Sequence, residues 1–321
     1  MAVMNMVQAL NLALKQEMAR DKDVVLLGED VGKDGGVFRV TDGLFDQFGP
    51  ERVIDTPLAE TGIVGAAIGM AAYGLKPVAE IQFMGFIYSA VDQLFSHAAR
   101  LRSRSRGRFT SSLVIRTPYG GGVKALEHHS ESTEAIFSQM PGVKVVVPST
   151  PRTAKGLLVA AIRDPDPVLF LEPTRLYRMI KEEVEEIDYT TPLGVARTVQ
   201  QGSAVTVIAW GSMLQRTLQA AQGFDAEVID LLTLNPFDEE TVLRSAAKTG
   251  RVVIIHEAPE TGGMGAELSA TIAERAMLHL KAPIVRVTAP DVVLPLPKLE
   301  NAYLPTIEKI RKGIESVLKY S

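Results

Sequence analysis

The chain has 321 residues, 46% hydrophobic and 22% charged, enough apolar material for two cores of ordinary size. A net charge of -4 gives no electrostatic reason to expect nucleic acid or an anionic membrane as partner, and no apolar run reaches the length of a membrane span. Cysteine is absent, which excludes disulfides, thiolate nucleophiles and zinc–thiolate sites; the first residues lack the basic start of a signal peptide, so a cytoplasmic protein is expected.

Short, β-branched apolar runs at 24–27, 53–55, 78–83, 113–116, 144–147 and 168–171 alternate with helical patterns at 7–20, 62–73, 90–102 and 153–162. Runs that are apolar throughout, rather than at every second position, predict a parallel sheet buried on both faces. The acidic run 181–186 reads as a solvated linker face, followed by an irregular stretch to Pro192. After Gly202 the alternation restarts, with strands at 205–210, 227–231, 252–256 and 284–288 and helices at 215–221, 239–248, 265–280 and 306–319. The predicted fold class is α/β: two three-layer α/β/α domains with mostly parallel sheets. The first spans 1–185, a linker 186–202 and the second 203–321.

Asp55-Thr56-Pro57-Leu58-Ala59-Glu60-Thr61-Gly62 places one carboxylate at the mouth of a helix of small and apolar residues. Glu60 either caps that helix beside the positive end of its dipole or serves proton-transfer chemistry. Gly62, Gly65 and Gly69 share one helix face, where another backbone can approach. The loop Gly28-Glu29-Asp30-Val31-Gly32 follows the first strand, but its spacing is not that of a dinucleotide fingerprint, and no phosphate-binding P-loop occurs. Gln82, Phe83 and Phe86 end the third strand; they either cover a flat heterocycle or pack a core. Gly120-Gly121-Gly122 leads to His128-His129. Neighbouring histidines diverge too far to share one metal, so a single proton-carrying histidine competes with a solvated one. At 256–265 a strand-to-helix turn either offers backbone amides to an anion or an interface carboxylate, or needs its glycines only for the turn. The arginine run 100–108 has no interleaved aromatics and reads as a helix end or docking surface.

Taken together, Gly-Glu-Asp-Val-Gly at 28–32, Gly-Gly-Val-Phe-Arg-Val at 35–40, Asp-Thr-Pro-Leu-Ala-Glu at 55–60, Glu-Ile-Gln-Phe at 80–83, Pro-Ser-Thr-Pro at 148–151, Leu-Tyr-Arg at 176–178 and His-Glu-Ala-Pro at 256–259 resemble one family. It is the beta subunit of the thiamine-diphosphate-dependent, decarboxylating first component of 2-oxo acid dehydrogenase complexes. The resemblance covers nearly the whole chain and implies a transketolase-like pyrimidine-binding domain followed by the family's carboxy-terminal domain.

It implies that Glu60 hydrogen-bonds a ring nitrogen of the cofactor's aminopyrimidine, favouring the imino form that activates the reacting carbon. Glu29, Leu58, Gln82 and Phe86 would line the same pocket, and His129 would move a proton during acyl passage to the lipoyl group. The Gly-Asp-Gly…Asn-Asn pattern that holds magnesium and the pyrophosphate in single-chain relatives is missing, so an alpha subunit is expected to bring that half in an alpha2-beta2 heterotetramer. A potassium ion is implied near Ser111, Leu113, Ala161, Asp164 and Asp166. Branched-chain 2-oxo acids are the expected substrates, with the lipoyl acyltransferase component as partner. Pyruvate or acetoin is the alternative substrate, and a non-catalytic scaffold subunit the alternative of another class.

Overall fold

The computed structural model describes residues 1–320. In chain order the elements of the first half are β1 (Ala2–Asn5), α1 (Met6–Arg20), β2 (Val24–Gly28), α2 (Leu44–Phe48), β3 (Val53–Asp55), α3 (Glu60–Ala72), β4 (Lys76–Glu80), α4 (Leu101–Arg104), β5 (Val114–Tyr119), α5 (Glu134–Ser138), β6 (Lys144–Val146), α6 (Pro151–Arg163), β7 (Val168–Pro173) and β8 (Lys181–Val184). The second half adds β9 (Arg197–Gln200), β10 (Val205–Ala209), α7 (Met213–Ala220), β11 (Ala226–Asp230), β12 (Thr233–Asn235), α8 (Glu239–Thr249), β13 (Val252–Pro259), α9 (Met264–Ala276), β14 (Val285–Ala289), α10 (Glu300–Tyr303) and α11 (Ile307–Leu318).

A seven-stranded sheet runs β12-β6-β7-β5-β4-β2-β3, and a five-stranded sheet runs β14-β13-β10-β11-β9. Within these two sheets all pairings are parallel except those of the edge strands β12 and β9. The central strands β2, β5, β7 and β10 are buried at every position, which is why apolar residues occupy both of their faces. Helix α6 begins on a capping box, Thr150 with Thr153, and carries Pro151 in its first turn; such a cap contributes about 1 kcal/mol. It packs with α1 over one face of the first sheet.

Three expectations are corrected. The acidic run is solvated at Glu183 and Glu186 but is not a linker: Lys181–Val184 is a strand, paired antiparallel with Ala2–Asn5. Its carboxylates are used, since Arg152 N donates to Glu182 Oε1 at 2.6 Å and Arg152 Nη2 to Glu185 Oε1 at 2.7 Å. The helix expected over 90–102 is broken into 3-10 turns at Met84–Ala90 and Ala98–Arg100, a π segment at Gln93–His97 and the short α4. Residues 197–200, inside the expected linker, form a strand of the second sheet. One strand also changes sides: β12 belongs by sequence to the second half, yet pairs with β6 in the first sheet.

Candidate active site

The order of connections reverses between β2 and β4. Strand β2 leads to β3 on one side, and the chain then crosses to β4 on the other. Open α/β sheets form a crevice beyond the carboxyl ends of the strands at such a point. Gly28 lies in register with Glu80, so Glu29 and Asp30 leave β2 beside Gln82 leaving β4, and Gln82 Nε2 donates to Asp30 Oδ2 at 3.2 Å. From β3 the chain passes the exposed Leu58 into α3, which starts at Glu60. Thr61 Oγ1 donates to the carbonyl of Ser89 at 2.5 Å, tying the first turn of α3 to the Met84–Ala90 segment that carries Phe86.

Glu60 is not the cap. The N-cap position is Ala59, which supplies no side-chain bond, and Glu60 is the first helical residue. The helix dipole favours a carboxylate there by about 0.3–1 kcal/mol, yet this one takes no hydrogen bond or ion pair among the described residues. The half-buried Glu29 is its neighbour. Burial raises the Glu29 carboxyl above its ordinary value, and the like charges of Asp30 and Glu60 push it further.

An aromatic wall is built from motifs far apart in sequence. Phe38 meets Tyr177 at 4.9 Å and Phe83 at 5.6 Å between ring centroids. Phe83 packs edge-on against His129 at 4.5 Å, and Phe86 against His129 at 5.1 Å. The two histidines divide their work. His128 Nε2 is 2.7 Å from the carbonyl of Gly85 and holds the loop, whereas His129 keeps a buried Nδ1 with no partner. These contacts form a chain: Glu29 feels Glu60, the first turn of α3 is tied to the segment that carries Phe86, and Phe83 and Phe86 pack on His129, while Leu58 is exposed.

Sequence reading missed what lies beneath. Arg116 is buried between two carboxylates: Nε and Nη2 donate to Glu172 at 2.7 and 2.9 Å, and Nη1 donates to Glu80. Tyr177 donates its hydroxyl to Glu172 at 2.6 Å, so the ion group fixes the ring on which Phe38 rests. The signal was present: Arg116, Glu80 and Glu172 interrupt strands that are otherwise apolar.

The residues expected around potassium lie on two touching turns, 111–113 and 161–166. Ser112 Oγ donates to the carbonyl of Asp164 at 2.8 Å. Both carboxylates are already engaged, Asp164 by Lys144 Nζ at 2.7 and 2.6 Å and Asp166 by Arg102 Nε at 2.6 Å. The buried hydroxyl of Ser111 has no partner. Among the described residues no three His, Asp or Glu side chains converge on a metal position. At 256–265 the carboxylate at the turn is not an interface one but belongs to the same chain: Asp291 accepts from Thr261 N at 2.9 Å and Thr261 Oγ1 at 2.6 Å.

Residues 2–179 match the transketolase pyrimidine-binding domain and residues 194–310 the transketolase carboxy-terminal domain. A solved split-gene transketolase, an inactive beta4 tetramer, shares the fold with a TM-score of 0.80 at 23% identity, over 99% of both chains. These define a transketolase-type chain of two α/β domains. The pyruvate dehydrogenase E1 component subunit beta of Acholeplasma laidlawii is 50% identical over 99% of both chains, and that of Bacillus subtilis (strain 168) is 47% identical over 100% of both. The chain belongs to the beta subunits of the first component of 2-oxo acid dehydrogenases.

Proposed function

We propose that this chain is the proton-handling half of a pyruvate-decarboxylating enzyme that works on thiamine diphosphate shared with an alpha subunit. The observation that carries the reading is the partnerless carboxylate of Glu60, set beside Glu29 at the switch point of the first sheet, together with the unpartnered Nδ1 of His129 on the aromatic wall. The residues fit an aminopyrimidine. Glu60 would accept from or share a proton with a ring nitrogen, the Gln82 amide would hold the polar edge of the ring, and Phe83 and Phe86 would keep water from it. When bound, the cofactor supplies the reacting carbon and the electron sink for decarboxylation. His129 would move a proton at Nδ1 as the acyl group passes to a lipoyl acceptor.

Pyruvate replaces the branched-chain substrate expected from sequence, because the relatives of highest identity quoted above carry pyruvate in their names. Acetoin remains the alternative. Magnesium and the pyrophosphate would be held by the alpha subunit. A potassium ion at the 111–113 and 161–166 turns would be bound by backbone oxygens and the Ser111 hydroxyl, since both carboxylates there already face cations.

The test is reconstitution. The chain alone is expected to be inactive, and adding the alpha subunit with thiamine diphosphate and magnesium should restore pyruvate decarboxylation; full activity of the chain alone would overturn the shared site. Glu60→Gln should assemble normally and lose about 100-fold in turnover, the usual range for a lost acid–base group.

A further inference from the structure

The loop that delivers His129 begins in the first half of the molecule and is held by the second. Gly121 N donates to Glu257 Oε2 at 3.2 Å, and Lys124 N donates to Glu300 Oε2 at 3.1 Å. Both carboxylates are buried and fixed in turn: Glu257 accepts from Ser212 Oγ at 2.7 Å, and Glu300 from Arg175 Nη2 at 3.2 Å. At the base, Gly120 N donates to the carbonyl of Glu131 at 2.9 Å. The loop lies flat on its neighbour as well, because a Cβ at Gly122, whose φ is +143, would stand 2.7 Å from the Cα of Arg175.

Three successive glycines give this segment little order of its own, and fixing them costs more entropy than fixing other residues. Two charge-assisted bonds to backbone N–H groups are the obvious source of that order. The switch point of the second sheet lies between β10 and β13. Trp210 and His256 stack there at 5.3 Å, and Glu257 turns towards the loop.

We propose that Glu257 and Glu300 are positioning residues, through which the carboxy-terminal half orders the His129 loop and so sets acyl transfer without touching the reacting atoms. The proposal rests on the reading of His129 given above.

In the assembled alpha–beta enzyme, Glu300→Gln and Glu257→Gln should each speed hydrogen exchange of peptides spanning 119–131 by about tenfold, the scale of one weakened charged hydrogen bond. Lipoyl acylation should fall by a similar factor, with a smaller fall in decarboxylation measured with an artificial acceptor. Should Glu257→Gln not assemble, Ser212→Ala loosens Glu257 with its charge kept and carries the same expectation. Unchanged exchange would overturn the positioning role whatever the activity, and so would faster exchange with unaltered acylation. His129→Ala separates the two readings. If acylation survives that change, the role of His129 falls, and the exchange data alone decide whether the two glutamates order the loop.

Discussion

Glu134 has no exposed surface; Trp210 Nε1 donates to its Oε1 at 3.3 Å, and its Oε2 has no partner. Burial pushes this carboxyl up to about 7 from an ordinary 4.5, and Asp230, held by Ser149 Oγ at 2.6 Å, up to about 7 from 3.8. The fold prefers both groups protonated, so their contribution to stability is whole below the ordinary values and is lost as pH rises through about 7. His256 works the other way. Burial lowers it to about 4, so its contribution is lost as pH falls from about 6.5 through that value. Glu134→Gln keeps an acceptor for Trp210 and removes the titration. Its thermal midpoint should exceed that of the native chain by on the order of 5 °C at pH 8, and the gap should close near pH 5; a gap independent of pH would contradict the assignment. At this scale Glu60, Gln82 and His129 were legible, because each sits in a local motif at the end of a strand or start of a helix. Glu134, Arg116 and Glu257 were not, because a buried charge is defined by partners that only the fold brings near.

The segment between β4 and α4 shows what local sequence encodes less well. Its residues are apolar enough for one helix, but Phe83, Phe86 and the carbonyl of Gly85 must all face the histidine loop, and the chain meets that demand with 3-10 and π turns. A methyl group at Gly85 would run into the ring and the carbonyl of His128. Gly85→Ala should therefore displace the loop and lower acyl transfer by about tenfold or more, while the far-ultraviolet circular dichroism stays native. An unaltered rate would mean that the loop tolerates the shift. The acidic run hid a strand for a related reason. Its charges were read singly, whereas the pairing with β1 and the contacts of Arg152 arise from elements distant in sequence. Strands buried on both faces are legible within a few residues, since most of their side chains are apolar and the few polar ones are paired inside the fold.

At the scale of the whole molecule, a helix face built of small residues is exposed. On α3 the positions Gly62, Ala66 and Gly69 are exposed, and a Cβ at Gly69 would meet nothing within 4 Å. In the proposed assembly this face would lie against another subunit, close enough for backbones to touch. Gly69→Leu should leave the melting temperature of the isolated chain within about 2 °C or raise it. It should also prevent assembly with the alpha subunit, as followed by native mass spectrometry; normal assembly would place the contact elsewhere. The strand that crosses over, β12, bears on how the chain comes apart. Because it closes the edge of the first sheet at β6, a polypeptide ending near residue 190 would leave the amide and carbonyl row of β6 bare, a template that copies of itself would pair with and precipitate. Gene fission at the apparent joint would thus yield an insoluble front half. The intact chain, sharing one ladder between its halves, should show a single calorimetric peak instead of two.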